Sequence, residues 1–137
     1  MTDKIKVPRK YIGAEKLQPE PDDPTIQLTD EVIVYVPTTQ GQKILDKQTE
    51  IDSRVNEVST FMSKEFDGNT NVEAVGGYYD KKGIFVDEDV IMVKSFTTRP
   101  KYMNSKIESK VREWGEQWDQ EAMALEHEGD MFVIPTK

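Results

Sequence analysis

The sequence has 137 residues, 36% of them hydrophobic and 32% charged, and its formal net charge is −8. This length predicts one domain with a single hydrophobic core. The negative charge disfavours direct binding to DNA or RNA, because such binding depends on Lys and Arg that neutralise phosphates. Cysteine is absent, which excludes disulfide bonds, thiolate metal sites and cysteine nucleophiles.

No stretch of the sequence approaches the roughly 18 to 20 apolar residues of a membrane span. The first segment, MTDKIKVPRKYIGAEKL, also lacks the apolar core of a secretory signal. The sequence therefore predicts a cytoplasmic protein without a membrane partner, either cellular or made by a virus inside a host cell.

Residues 1–29 are predicted to form a flexible N-terminal arm. Prolines interrupt any helix there, because each lacks a backbone N–H and restricts the residue before it to extended conformations. These prolines are Pro8, Pro19, Pro21 and Pro24. An alternative is that the arm packs on a neighbouring subunit through its apolar side chains, which are Val7, Tyr11, Ile12 and Leu17. Residues 30–137 then form the folded domain.

The first half of this domain predicts a strand followed by a helix. Residues 31–37, EVIVYVP, form a β-branched run closed by proline, which is typical of a buried strand. A helix follows, because apolar residues recur at steps of three and four. These residues are Ile51, Val55, Val58, Met62 and Phe66. Asp67-Gly68 is expected to end the helix, since glycine readily adopts the left-handed conformation of a C-terminal cap.

The middle of the domain predicts a β-hairpin and a second helix. Residues 71–79 and 84–96 resemble strands joined by the polar loop 80–83, which ends in glycine. Asn104 or Ser105 is expected to cap the helix that follows. Its apolar stripe consists of Ile107, Val111, Trp114 and Trp118. A glycine within this helix, Gly115, permits close packing or a bend.

The last part of the domain predicts two strands, 121–126 and 131–135, joined by a turn at 127–130. The order of elements is then strand, helix, strand, strand, helix, strand, with an extra C-terminal strand. This is the order of the ferredoxin-like βαββαβ arrangement, an α+β fold in which two helices cover one face of an antiparallel sheet.

Four segments of the domain, VIVYVPTT, NVEAVGGYYD, EDVIMVKSF and WDQEAMALE, occur in this order between residues 31 and 134. Over this range the sequence resembles small prokaryotic ferredoxin-like proteins of unknown function. The resemblance implies the fold and a dimer or larger assembly through a sheet edge or face. It implies no activity, because none of the four segments is a catalytic signature.

The densest acidic cluster is Asp87, Glu88 and Asp89. Because side chains alternate along a strand, Asp87 and Asp89 are expected to share one face while Glu88 points to the other. Two carboxylates on one face can hold Mg²⁺ or Ca²⁺, although the spacing is not that of a calcium-binding loop. The other interpretation, a solvated strand whose charges oppose edge-to-edge aggregation, is the simpler one. No metal ligand is therefore predicted.

Glycines and tyrosines in the predicted hairpin form a second candidate region. Gly76 and Gly77 allow a ligand or another backbone to come close, although a bulge is the commoner reason for such a pair. They lack the G-x-G-x-x-G spacing of a dinucleotide site and the lysine of a P-loop. Tyr78 and Tyr79 are expected to point to opposite faces, one to the core and one to water or a partner.

Gln120 and Glu121 lie between the second helix and the next strand, and are expected at the open end of the sheet. His127, the only histidine, lies in a predicted turn without an evident nucleophile or orienting group. The candidate binding residues are therefore Gly76, Gly77, Tyr78, Tyr79, Glu88, Asp89, Gln120 and Glu121. No catalytic residue or cofactor is predicted.

These features predict a small acidic protein that self-associates and binds a protein partner, such as a basic nucleic-acid-binding protein, without being an enzyme. An accessory or inhibitory protein of a virus, phage or other mobile element fits this description. The alternative is an enzyme or small-ligand-binding protein with a carboxylate-containing site between subunits of a ferredoxin-like oligomer. That site would use Glu88 or Asp89 with Gln120, Glu121 or His127.

Overall fold

The computed structural model of the chain describes residues 25–137. Most of the predicted N-terminal arm, residues 1–29, lies outside the described residues. Residues 25–29 belong to no helix or strand, and the first strand begins at Asp30.

Seven strands and three helices form between residues 25 and 137. In chain order they are β1 (Asp30–Pro37), β2 (Thr39–Gln40), β3 (Lys43–Ile44), α1 (Gln48–Glu65), β4 (Thr70–Tyr79), β5 (Phe85–Thr97), α2 (Arg99–Asn104), α3 (Ile107–Gln117), β6 (Ala122–His127) and β7 (Asp130–Pro135). None of the helices in this part of the chain is long and apolar enough to cross a membrane.

Five of the strands form one sheet in the order β4-β5-β1-β6-β7, with antiparallel pairing between all neighbours. The central strand, β1, pairs with β5 from Asp30↔Thr97 to Pro37↔Val90. On its other side β1 pairs with β6, where Val32 lies opposite His127. The α+β class with an antiparallel sheet and helices, as predicted, is confirmed.

Both long helices pack on one face of the sheet. Alternation along β1 turns Val32, Val34 and Val36 toward the helices, and all three are fully buried. Both predicted stripes enter this core, although Ile51 and Val55 of the first stripe are only partly buried. The buried members of the stripes are Val58, Met62, Phe66, Ile107, Val111, Trp114 and Trp118. Burial of each large apolar side chain stabilises the fold by about 1.5–3 kcal/mol.

We call the opposite side of the sheet the open face, because no helix of the described chain covers it. It carries alternate residues of every strand, including Ile33 and Tyr35 of β1 and Glu88 of β5. Several of its apolar side chains are at least two-fifths exposed. These are Val72 at 42%, Tyr78 at 52%, Phe96 at 49%, Met131 at 50% and Val133 at 68%.

Two short elements were not predicted. The hairpin β2–β3 forms within the polar stretch after β1. Helix α2 follows Thr98, whose side chain accepts a hydrogen bond from the backbone N–H of Lys101. The prediction that Asn104 or Ser105 caps α3 is wrong, because Lys106 occupies the N-cap without a side-chain bond. Ser105 instead ends α2, and its hydroxyl donates to the carbonyl of Tyr102 at 2.7 Å.

The predicted role of Gly115 in close packing is confirmed. A Cβ atom at this position would lie 2.3 Å from Cγ2 of Thr136 and 2.7 Å from Cγ of Met123. Helix α3 can therefore approach β6 and the segment after β7 only because this residue has no side chain.

Candidate functional site

The candidate site lies on the open face, at the end of the sheet where β1 finishes. Strand alternation places Gly76 opposite Glu88, and Tyr78 opposite Val86, on this face. The segment Pro37–Gln40 continues from β1 beside them. Gln120 and Glu121 follow α3 and reach the same region. We call this group of residues the site end.

Glu88 is the central carboxylate of the site end. Its side chain is half-buried, and this burial raises its pKa, while a hydrogen bond from Thr39 acts in the opposite direction. Oγ1 of Thr39 lies 3.4 Å from Oε2 of Glu88 and also 3.4 Å from Oε1 of Gln120. A hydroxyl has one proton, so Thr39 can donate to only one of these acceptors at a time. The negative charge of Glu88 is therefore only weakly compensated.

Thr39 is positioned by contacts on both sides of its segment. The hydroxyl of the buried Thr38 donates to the backbone carbonyl of Asp89 at 2.7 Å, which ties the segment to β5. Nε2 of Gln120 donates to the carbonyls of Thr39 and Trp118, each at 2.9 Å. The segment is thus held between β5 and the chain that leaves α3.

Tyr78 contributes an exposed aromatic ring beside these acids. Burial of its hydroxyl raises the pKa of Tyr78, and the negative charges of Glu88, Asp80 and Glu121 raise it further. Three carboxylates from three segments of the chain thus act on one phenol. This makes the site end electronegative, an environment that favours a ligand with positive charge.

The structure brings five of the eight predicted binding residues together. Gly76, Tyr78, Glu88, Gln120 and Glu121 share the site end, whereas the others lie on the helix side of the hairpin. Those others are Gly77, Tyr79 and Asp89. The prediction that one tyrosine enters the core is wrong, because Tyr78 is 52% exposed and Tyr79 is 72% exposed.

Gly77 has a packing role. A Cβ atom there would lie 2.4 Å from Cζ of Phe85, so the ring of Phe85 covers this glycine on the helix side. At Gly76 an added Cβ would meet nothing within 4 Å. The space above Gly76, next to Glu88, is therefore free.

Asp87 and Asp89 share the helix side of β5 while Glu88 points to the open face, as predicted from strand alternation. Both aspartates are exposed. Between residues 25 and 137 no group of three or more His, Asp or Glu side chains is arranged to hold a metal ion.

His127 lies at the opposite end of the sheet, in what we call the far-end cluster. Its Nε2 lies 2.6 Å from Oδ2 of Asp30, and its ring stacks on Tyr102 with centroids 3.6 Å apart. Nε of Arg99 lies 3.1 Å from the same carboxylate oxygen. The eight residues of β1 separate the two ends by about 24 Å, so the predicted grouping of His127 with Glu88 and Gln120 is wrong.

A hydrogen bond from Thr29 lowers the pKa of Asp30 most strongly, and His127 and Arg99 lower it further against the effect of burial. The far-end cluster is thus a buried carboxylate with a full set of partners.

Sequence reasoning missed Thr39, which belongs to the site end, and Arg54, which binds the segment Pro37–Gln40 from α1. Thr39 carried no signal, because its partners lie 49 and 81 residues away. Arg54 did carry one, since it stands three residues after Ile51 and four before Val58, inside the apolar stripe of α1. Arg54 is only 5% exposed. A charged side chain buried to this extent must have partners inside the protein.

A scan against protein-family models and a search of curated proteins each find no match. Among solved structures, the chain is similar to a phage SAM lyase in complex with S-methyl-5′-thioadenosine. The TM-score is 0.63 at 14% sequence identity, over 85% of this chain and 96% of that one. The chain is also similar to a phage SAM lyase in the apo state, with a TM-score of 0.59 at 16% identity, over 82% of this chain and 96% of that one.

These matches contradict several expectations from the sequence. The resemblance to ferredoxin-like proteins of unknown function is wrong as an identification, because the matched structures are those of an enzyme. For the same reason the expectations of a protein that is not an enzyme, and of a non-catalytic accessory or inhibitory protein, are wrong. The chain shares its fold, over most of its length, with phage enzymes that act on SAM.

Proposed function

We propose that this protein is an enzyme that cleaves S-adenosylmethionine and releases S-methyl-5′-thioadenosine. The observation that carries this proposal is the fold match to a phage SAM lyase in complex with S-methyl-5′-thioadenosine. The site end gives the proposal independent support, since S-adenosylmethionine carries a sulfonium and an ammonium group and the site end is electronegative. A phage origin, with action in the cytoplasm of the host cell, is part of the proposal.

The chemistry of the product defines the bond that breaks. S-Methyl-5′-thioadenosine remains when the bond between the sulfonium sulfur and Cγ of the methionine part is cleaved. The bonding electron pair stays on sulfur, which becomes a neutral thioether. The carbon fragment then either loses a proton from Cβ and forms vinylglycine, or bonds to the oxygen of its own carboxylate and forms homoserine lactone. Neither route consumes water or an oxidant.

In this proposal Glu88 is the principal binding group. A half-buried carboxylate attracts a cation more strongly than one in bulk water, because the effective dielectric constant around it is lower. Since the carboxylate has only a weak bond from Thr39, it is available to the ammonium group of the substrate. In the elimination route it would also accept the proton from Cβ.

Tyr78 and Gly76 are proposed to shape the space next to this carboxylate. The exposed ring of Tyr78 offers a flat apolar surface against which an adenine ring or a cation can pack. The absence of a side chain at Gly76 leaves room for the substrate beside Glu88. Gln120 and Glu121 close the opposite side of the site.

We also propose that copies of this chain associate through the open face, so that the site end becomes enclosed between subunits. Antiparallel sheets often expose one polar face to water. Here exposed apolar side chains occur across that face, among them Val72 on β4 and Val133 on β7. Enclosure would exclude water, and both routes neutralise the sulfonium charge, which a dry environment favours.

The ferredoxin-like connectivity is proposed as the finer description of the fold. In support of it, α1 connects β1 to β4 across the intervening β5, and α3 connects β5 to β6 across the intervening β1. Strand β7 is then an addition at the β6 edge.

The test of function is to incubate the purified protein with S-adenosylmethionine and to measure products by mass spectrometry. S-Methyl-5′-thioadenosine should form faster than in a protein-free control, with vinylglycine or homoserine lactone identifying the route. Binding of S-methyl-5′-thioadenosine without turnover would favour a ligand-binding protein. The absence of both binding and turnover would refute the proposal.

The test of assembly is light scattering of two matched variants. Val133→Lys places a charge on the open face, and Val75→Lys places one on the helix side, where Val75 is 74% exposed. Val133→Lys should reduce the mass of the assembly, while Val75→Lys should leave it unchanged. A monomeric wild-type protein would refute association through the open face.

A further inference from the structure

Arg54 is a buried cation in the middle of α1, where the apolar stripe packs on the sheet. Its side chain is nearly inaccessible, with 5% of the residue exposed. Within residues 25–137 no carboxylate forms an ion pair with it. Burying such a charge is costly unless hydrogen bonds to the protein replace those to water. The contacts of Arg54 therefore indicate its role.

The guanidinium group binds the segment that carries Thr39. Nη1 donates to the backbone carbonyls of Pro37 and Thr39, each at 2.8 Å, and Nη2 donates to Oε1 of Gln40 at 2.7 Å. Three hydrogen bonds thus converge on three residues of the segment Pro37–Gln40. The planar, fixed geometry of guanidinium donors makes such a set far more restrictive than a single bond.

The same group also contacts the segment that carries Gln120. Cζ of Arg54 lies 4.8 Å from the centroid of the Trp118 ring, in cation–π contact. The carbonyl of Trp118 accepts a hydrogen bond from Nε2 of Gln120 at 2.9 Å. One buried side chain therefore joins the two segments that meet at Thr39.

We infer that Arg54 is the positioning residue of the site end, which holds Thr39 in place against Glu88 and Gln120 in place beside Thr39, without touching the ligand itself. This inference deepens the proposed function and rests on it for the identity of the substrate. The placement of Thr39 is a property of the free protein, however, and can be measured without any ligand.

The consequence for Glu88 has a definite direction. The hydrogen bond from Thr39 lowers the pKa of Glu88 against the effect of burial. If Arg54 is replaced, the carbonyl of Thr39 keeps only its hydrogen bond from Gln120, and the hydroxyl is held less firmly within reach of Glu88. The pKa of Glu88 should then rise, as it should when the hydroxyl itself is removed.

The experiment follows the titration of the Glu88 carboxyl group by NMR with ¹³C-labelled glutamate, in wild type and in Arg54→Met, Arg54→Lys, Thr39→Val and the double variant Arg54→Met/Thr39→Val. The Glu88 resonance is assigned with Glu88→Gln. Arg54→Met and Thr39→Val should each move the titration to higher pH. The double variant should move the titration no further than Thr39→Val alone, because both changes remove the same interaction, the hydrogen bond from Thr39 to Glu88.

Arg54→Lys keeps the charge but has no planar fork of donors, so its titration should lie between those of wild type and Arg54→Met. This variant also serves where Arg54→Met does not fold. Arg99→Met is the matched control, since it removes a cation from the far-end cluster, and it should leave the titration of Glu88 unchanged.

With S-adenosylmethionine as substrate, Arg54→Met should lower kcat by about 10- to 100-fold, as expected when a group near the reacting bond is misplaced. An unchanged titration of Glu88 in folded Arg54→Met or Arg54→Lys would overturn the positioning role, even if the wild-type protein cleaves the substrate. If the titration of Glu88 shifts in the variants but the wild-type protein does not cleave S-adenosylmethionine, the positioning role is supported and the proposed reaction is refuted.

Discussion

Asp30 and Glu88 lie near opposite ends of the same sheet, and folding shifts their pKa values in opposite directions. At the far end, Asp30 is surrounded by Thr29, His127 and Arg99, and its pKa is lowered. At the site end, Glu88 has one weak hydrogen bond, and burial raises its pKa. A carboxylate with a full set of partners serves the fold, whereas one left short of partners is available to a ligand.

The difference extends to the surroundings of the two groups. His127 and Tyr102 seal the far-end cluster with stacked rings, and Phe66 stacks on Tyr102 from the core. The site end has an exposed tyrosine and the free space above Gly76. The perturbed carboxylate alone would be a weak sign of function, but together with open space and an aromatic ring it makes the site end the candidate binding site.

The largest effect is expected from Glu88→Gln, which removes the charge and keeps the shape. Cleavage of S-adenosylmethionine should fall by about 100-fold or more, because a charged binding group or proton acceptor is lost. Asp89→Asn is the matched control one residue away on the other face, and should change the rate less than twofold. Equal losses in both variants would show that net acidity matters, and not the position of Glu88.

Gly115→Ala should produce the next largest effect, on stability. The new methyl group would overlap Thr136 and Met123, and overpacking of this kind costs about 1–3 kcal/mol. Better helix propensity offsets up to about 1 kcal/mol of this cost. Chemical denaturation of Gly115→Ala and of Gly76→Ala, whose methyl group would meet nothing, measures the difference. Equal stability of the two variants would mean that α3 does not need this close approach.

A smaller effect, dependent on pH, is expected from Asp30. Its folded-state pKa lies below the ordinary value of 3.8, so the unfolded chain binds more protons between the two values. The stability that its ionised form contributes is complete above about pH 4 and is lost as pH falls through the folded-state pKa. The gap in melting temperature between wild type and Asp30→Asn should therefore be widest near neutral pH and narrow below pH 4. A gap independent of pH would assign the effect to changed hydrogen bonds and not to the charge of Asp30.

The smallest effect should have the opposite sign. The pKa of Glu88 is raised above its ordinary value of 4.5, so its ionisation opposes folding, and stability is lost as pH rises from the unfolded-state pKa through the folded-state pKa. At neutral pH, Glu88→Gln should thus have a slightly higher melting temperature than wild type. At pH 4 the two melting temperatures should be equal. A lower melting temperature for Glu88→Gln at neutral pH would show that Glu88 stabilises the fold, and would remove the contrast with Asp30.

Sequence periodicity was sufficient for the main framework of the fold. The stripes Ile51–Phe66 and Ile107–Trp118 identified the two helices, and the turn at Asp80 identified the hairpin of β4 and β5. Such patterns are local, because each residue's face depends only on its spacing along the chain. Helix α2 and the hairpin β2–β3 are too short to show a period, and their formation depends on caps and on neighbours distant in sequence.

The site was only partly predictable for the same reason. Strand alternation correctly separated Glu88 from Asp87 and Asp89. The position of Gln120 between a helix and a strand indicated that it lies near the end of the sheet. Nothing local could show that Thr39 meets both Glu88 and Gln120, or that His127 is paired with a residue 97 positions away. Arg54 was recognisable as a charge within an apolar stripe, and that signal could have been used.

The position of β1 determines when the protein can fold. Although β1 is the first strand of the sheet to be synthesised, its neighbours are β5 and β6. The second of these neighbours, β6, ends at His127 and emerges from the ribosome long after β1. The nascent chain must therefore carry an unpaired, strongly apolar strand while the rest is translated. Pairing between strands this far apart in sequence slows folding. A chaperone that shields residues 32–36 during translation should therefore raise the yield of folded protein.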